Sequence, residues 1–201
     1  AEIEIPFAGV AYQKIYSFDE IADKLYMKMH NMTIKTEILR GHQIQIDEHC
    51  YYVDTEYITY PIPYVNTICF VDAFVYYYRL GREGQSVGMD KMQKNEQNYD
   101  KVLASLLHFY QQLGRELPCT QAKKQYIARL IARVIAGKFK IMLSFPPSAE
   151  KKQQIKQYDK HLKTQYRDIY DSNINKAVAL LRKTQYHTYY LANMLVRRTY
   201  R

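Results

Sequence analysis

From Asp90 to Arg201 the apolar residues keep a helical period, and this limits what the chain can fold into more than any other feature. Tyr99, Val102, Leu103, Leu106, Tyr110 and Leu113 recur three or four apart, as one face of a long helix does. Gly114 and the pre-proline Leu117 end it, because a residue before proline is pushed out of the helical region. Ile127, Leu130, Ile131, Val134 and Ile135 mark a second helix, started near Pro118 and Thr120. Pro146-Pro147 is the sharpest break, since neither residue can donate a helical hydrogen bond. Beyond it Ile155, Tyr158, Leu162 and Ile169 form a narrow stripe close to heptad spacing. Val178 and Leu181, then Tyr190, Leu191, Met194 and Leu195, predict a fourth helix, whole or split. Residues 89–201 therefore read as a helical bundle.

Residues 1–88 follow no single period. Ile3, Ile5 and Phe7 alternate with polar or turn residues, as in a short extended segment. Ser17 and Glu20 form a capping box, which predicts a helix to about Asn31 with Ile21, Leu25 and Met29 on its buried face. A second short helix is expected over Thr33–Arg40, closed by Gly41, and a strand where Ile44 and Ile46 alternate with Gln43 and Gln45. Asp54–Tyr60 should make one or two helical turns ending at Pro61, followed by strands at Thr67–Val71 and Phe74–Arg79 and a loop through Gly81, Gly84 and Gly88. The fold class that results is α+β, dominated by helix.

Charge divides the chain at nearly the same place. Ala1–Met89 holds seven Lys and Arg against twelve Asp and Glu, a net of −5, whereas Asp90–Arg201 holds twenty-two against eight, a net of +14. Such a contrast suggests two surfaces, the second suited to anionic lipid, phosphate or a solvated face. Nucleic acid is disfavoured, since no helix-turn-helix or base-stacking motif accompanies the charge. Three cysteines, none in CxxC spacing, indicate neither a disulfide framework nor a zinc site and fit a reducing, cytoplasmic setting. No apolar run approaches the roughly 18 residues of a membrane span. Tyrosine is abundant (21) and tryptophan absent, which supplies amphipathic rings for packing, interfaces or sugar stacking.

Asp54 and Glu56 are the leading candidates for chemistry. Two apart on a helix, they point about 200° from one another, so they do not form a carboxylate pair by local geometry. Asp54 is open to two roles, a helix N-cap or a general base for a substrate hydroxyl. Arg82, with Gln85 and Ser86, sits on the glycine-punctuated segment, either as a diphosphate contact or as an ordinary surface connection. Lys123, Lys124, Arg129, Arg133, Lys138 and Lys140 flank the second helical stripe, and Arg197, Arg198 and Arg201 close the chain. Packing within a bundle and contact with an anionic membrane both explain that arrangement.

The order of these segments resembles the acceptor side of family-two glycosyltransferases of the GT-A fold. Lys35-Thr36-Glu37-Ile38-Leu39, Gln43–Glu48, Tyr52-Val53-Asp54-Thr55-Glu56-Tyr57, the proline turn and the Gly-Ser loop stand in the family's order, over roughly Tyr16–Gly88. Many relatives carry Glu-Asp where this chain has Val53-Asp54. The resemblance implies that residues 1–88 are part of a GT-A catalytic domain and that residues 89–201 are a basic helical domain. It implies transfer of a sugar from a nucleotide-sugar donor to a polysaccharide or lipid-linked glycan, in the cytoplasm or at the inner face of the membrane. Asp54 would be the base, Glu56 its helper, Arg82, Gln85 and Ser86 the substrate loop, and His30 a substrate-side histidine. Relatives hold Mg or Mn on an Asp-x-Asp motif, and this chain has none, so no metal is expected on its own residues. The chain reads as a piece that begins downstream of the donor half and is inactive by itself. A non-catalytic helical module for oligomerisation or membrane docking is the alternative, with a homodimer or an anionic membrane as partner.

Overall fold

The computed structural model describes residues 7, 9–73, 76, 77, 79 and 88–199. Helix dominates, as α1 (Phe18–Ile21), α2 (Thr36–Gly41), α3 (Asp54–Thr59), α4 (Met89–Lys94), α5 (Glu96–Gln112), α6 (Gln121–Ser144), α7 (Ala149–Gln165), α8 (Arg167–Asp171), α9 (Lys176–Lys183) and α10 (Tyr189–Thr199). The strands among the described residues are β1 (Ile15–Ser17) and β2 (Thr67–Cys69), paired antiparallel with Tyr16 opposite Ile68. The chain separates into two compact units, Ala1–Leu80 with Leu106–Ile127, and Gly81–Ser105 with Ala128–Arg201. The division thus cuts α5 and α6, and differs from a boundary drawn at residue 88.

In the first unit the core gathers on Phe18, which is fully buried and meets Tyr126 edge-on at 5.4 Å. Ile21, Leu25, Met27, Ile58, Ile62, Phe109 and Ile127 are buried with it. Three polar contacts fasten the start of α6 into this unit. The Tyr126 hydroxyl accepts from Met27 N–H (3.4 Å), Thr120 Oγ1 donates to Asp19 Oδ1 (2.8 Å), and Lys123 Nζ donates to the Pro63 carbonyl (2.9 Å). A buried ammonium needs such an acceptor, since desolvation otherwise penalises the charge. The α5–α6 connection turns at Gly114, whose φ of 78° suits a residue without Cβ, and Gly114 N–H donates to the Leu117 carbonyl at 2.8 Å.

In the second unit the regular elements among the described residues are all helices. Tyr99 hydroxyl donates to the Val134 carbonyl at 2.7 Å, and a side chain at Gly137 would collide with that hydroxyl. Ser148 caps α7 by accepting from Lys151 N–H (3.0 Å), directly after the proline pair. Arg182 of α9 grips the buried Asp159 of α7 through Nε and Nη2 (3.0 and 2.8 Å to Oδ1), gives Nη1 to the Tyr170 carbonyl, and lies 3.6 Å over the Tyr170 ring.

Several expectations change. The Ser17 helix lasts one turn: Ser17 N–H does donate to Glu20 Oε2 (3.3 Å), but the chain passes through a 3₁₀ turn and becomes extended at Leu25. Met27 is therefore buried where Met29 was expected to be. Gln43–Ile46 forms no strand, because Gln43 takes a positive φ (49°) in the turn that follows α2. β2 stops at Cys69, where its short partner strand ends, and Tyr76, Tyr77 and Arg79 are not in a strand. The expected extended segment at Ile3–Phe7 falls almost wholly outside the described residues, as does the glycine loop before Gly88. The heptad-like stripe is carried by α7 and α8, with Ile155, Leu162 and Ile169 buried on either side of a break at Tyr166.

Candidate functional site

The break at Leu25 has a consequence for chemistry. It releases Met29–Asn31 as a separate 3₁₀ turn, held by Lys28 N–H donating to Asn31 Oδ1 at 2.8 Å, and this turn packs beside α3. Between them opens a depression of about 240 Å³ lined by Met29, Ile46, Val53, Asp54 and Tyr57. Four of these five side chains are apolar or aromatic, and Asp54 is the carboxylate among them. His30, on the same turn, stacks on Tyr76 with ring centres 5.4 Å apart and planes 23° off parallel. His30 is also close enough to Asp54 to act on its charge, and an aromatic face of this kind presents apolar area beside a polar edge.

Asp54 is the first residue of α3 and not its cap. Val53 occupies the cap position with helical dihedrals and offers no side-chain bond. The Asp54 carboxyl keeps access to water, yet the surrounding protein raises its pKa above the ordinary carboxylate value by desolvation. The N–H groups of Thr55 and Asp54 and a positive charge on His30 pull in the opposite direction, and desolvation wins. A carboxylate in that state is more basic than usual while remaining reachable, which is what proton abstraction from a hydroxyl requires.

Glu56 goes the other way, as the angular separation on a helix dictates. It is fully buried, and its Oε2 accepts from Asp47 N–H at 2.8 Å. Oε1 is sealed from solvent without a hydrogen bond of good geometry, as is Thr59 Oγ1 one turn on. The Tyr60 hydroxyl and the Asp47 carboxyl lie near enough to weigh on the charge of Glu56. Desolvation is the largest influence, and with the Asp47 charge it pushes the Glu56 pKa up against the Asp47 N–H and Tyr60. Glu56 does not line the depression. Its hold on Asp47 fixes the segment that carries Ile46, one of the walls.

The structure therefore brings Asp54 and His30 to one place and puts Glu56 beneath it. Arg82, Gln85 and Ser86 lie outside the described residues. Among the described residues no three His, Cys, Asp or Glu side chains come together in a group that could hold a metal ion. Tyr57, Ile46, Tyr76 and the exposed position of Met29 were not singled out from sequence. Tyr57 directly follows the acidic pair and was within reach, whereas Tyr76 joins His30 only through folding. No helix among the described residues is long and apolar enough to cross a membrane. Comparison with protein-family models, curated proteins and solved structures returned no match.

Proposed function

We propose that the chain forms the acceptor side of an inverting sugar transferase, with Asp54 as the general base. The observation that carries this reading is an accessible carboxyl of raised pKa, set at the edge of a depression walled by Met29, Ile46, Val53 and Tyr57. The order of segments that resembles family-two enzymes supports it independently. In this reading the acceptor sugar rests against Tyr57 and the His30–Tyr76 stack. Asp54 takes the proton of one acceptor hydroxyl as that oxygen forms its bond to C1 of a nucleotide-sugar, and the bond from C1 to the diphosphate breaks. The nucleoside diphosphate leaves with the electron pair. Glu56 serves as a positioning residue through Asp47 and touches no substrate.

The test is Asp54→Asn in the longest open reading frame that encodes this chain. Sugar transfer should fall by roughly 10²–10⁴-fold, the usual weight of a positioned base, while nucleotide-sugar binding stays unchanged. Because the base works deprotonated, wild-type turnover should decline as pH falls through the raised Asp54 pKa, a limb that sits above the ordinary carboxylate range. Near-normal turnover of the Asn variant rules the assignment out.

A further inference from the structure

α10 carries an apolar face that points outward. Tyr190, Leu191, Met194 and Leu195 are each 51–57% exposed, and their spacing of one, then three, then one residue puts them on one side of the helix with Arg198. The opposite side is committed. Tyr189 and Asn193 are buried, and Asn193 Nδ2 donates to the Leu143 and Phe145 carbonyls at 2.7 and 2.8 Å. Those carbonyls belong to the end of α6, where helical geometry leaves acceptors unsatisfied. Rolling α10 to hide the apolar stripe would break both bonds and expose the fully buried Tyr189, so the exposure is built into the fold.

Charge says what covers this face. From Ser172 to Arg201 the sequence contains six Lys and Arg and no Asp or Glu. One of the six, Arg182, is held by Asp159, and Lys152 of α7 adds a further cation 5.8 Å from the Tyr190 ring. We infer that α10 docks this chain on an anionic lipid surface, with Leu191, Met194 and Leu195 at the level of the acyl chains and Arg197, Arg198 and Lys152 among the headgroups. An amphipathic helix lying in the interface binds by these two contributions together. A second copy fits less well, because a symmetric contact would set this basic segment against itself.

Co-sedimentation of the full chain with vesicles decides the matter. Vesicles of phosphatidylcholine with about one-third phosphatidylglycerol should bind it at low salt, and pure phosphatidylcholine vesicles should not. Raising the salt should weaken binding as charges are screened. Arg197→Gln with Arg198→Gln should lower the affinity roughly 30-fold, about fivefold for each charge. Leu191→Glu with Leu195→Glu should lower it on the order of tenfold or more. Both positions are half exposed, and an unchanged circular dichroism spectrum and melting temperature would show the fold intact. Absence of binding to the anionic vesicles at low salt overturns the proposal. Undiminished binding of the Leu double variant overturns it too. A concentration-dependent dimer that the same variant abolishes, without vesicle binding, overturns it in favour of a second copy.

Discussion

Each unit of the molecule buries a carboxylate, and the two are treated in opposite ways. Asp159 in the second unit receives a two-pronged guanidinium, which also stacks on Tyr170 and satisfies its carbonyl. Glu56 in the first unit has one backbone N–H on one oxygen and no well-formed bond on the other. The first arrangement belongs to regular helices, where α7 and α9 can aim long side chains at one another. The second belongs to turns and one-turn helices, where a single residue positions a loop. The compensated charge ties α7 to α9, whereas the under-compensated one accompanies the depression that contains Asp54. The two units thus differ in how they hold a buried carboxylate, one pairing it with a guanidinium and the other desolvating it so that its pKa rises.

The contrast can be broken most severely at Asp159. Asp159→Ala leaves Arg182 buried without its partner, and should cost about 3–5 kcal/mol in a urea unfolding titration. A loss below about 1 kcal/mol, the range of exposed pairs, would show that the two buried carboxylates do not differ as described. Next comes Gly137→Ala, where the new methyl strikes the Tyr99 hydroxyl and pushes it from the Val134 carbonyl. Destabilisation of about 1–3 kcal/mol is expected. The same change at the exposed Gly41, around which nothing stands close, should destabilise far less.

Glu56→Gln should have the smallest effect and be the most telling. An amide can still accept from Asp47 N–H, it carries no charge to desolvate, and its NH₂ faces the Asp47 carboxyl, so stability near neutral pH should hold or rise slightly. The sign with pH follows from the raised pKa. Folded Glu56 binds its proton more tightly than the unfolded chain does, so this group's stabilisation is complete below the ordinary value of 4.5. It disappears as pH rises through the folded pKa. The Gln variant should lack that part of the pH dependence, measured by thermal melts across the acid range. An unchanged profile would mean that Glu56 is not the group responsible.

Helical periodicity made the long helices α5, α6 and α7 legible from sequence. The stripe from Tyr99 to Leu113, the stripe from Ile127 to Ile135 and the break at Pro146-Pro147 all correspond to observed elements, because local spacing and backbone chemistry suffice to specify them. The part of the first unit that precedes α4 was less legible for the converse reason. Its strands are three residues long and pair Ile15 with Cys69, a choice that no window of neighbouring residues contains. The capping box at Ser17 signalled a start but could not say that the helix stops after a turn.

For the site, the sequence alone determined that Asp54 and Glu56 would point apart, since the angle per residue of a helix is the same in any surroundings. It also determined that the second part would be basic and amphipathic. Only tertiary structure decided which carboxyl reaches solvent, because that depends on what covers each side of α3. The approach of His30 to Asp54, and its stacking on Tyr76, likewise required the chain to turn extended at Leu25. In the same way α10 reads as amphipathic from its residues, but which face looks inward was settled by Asn193 reaching the free carbonyls at the end of α6. Periodicity is a property of neighbours along the chain, whereas exposure is a property of what the rest of the chain leaves uncovered.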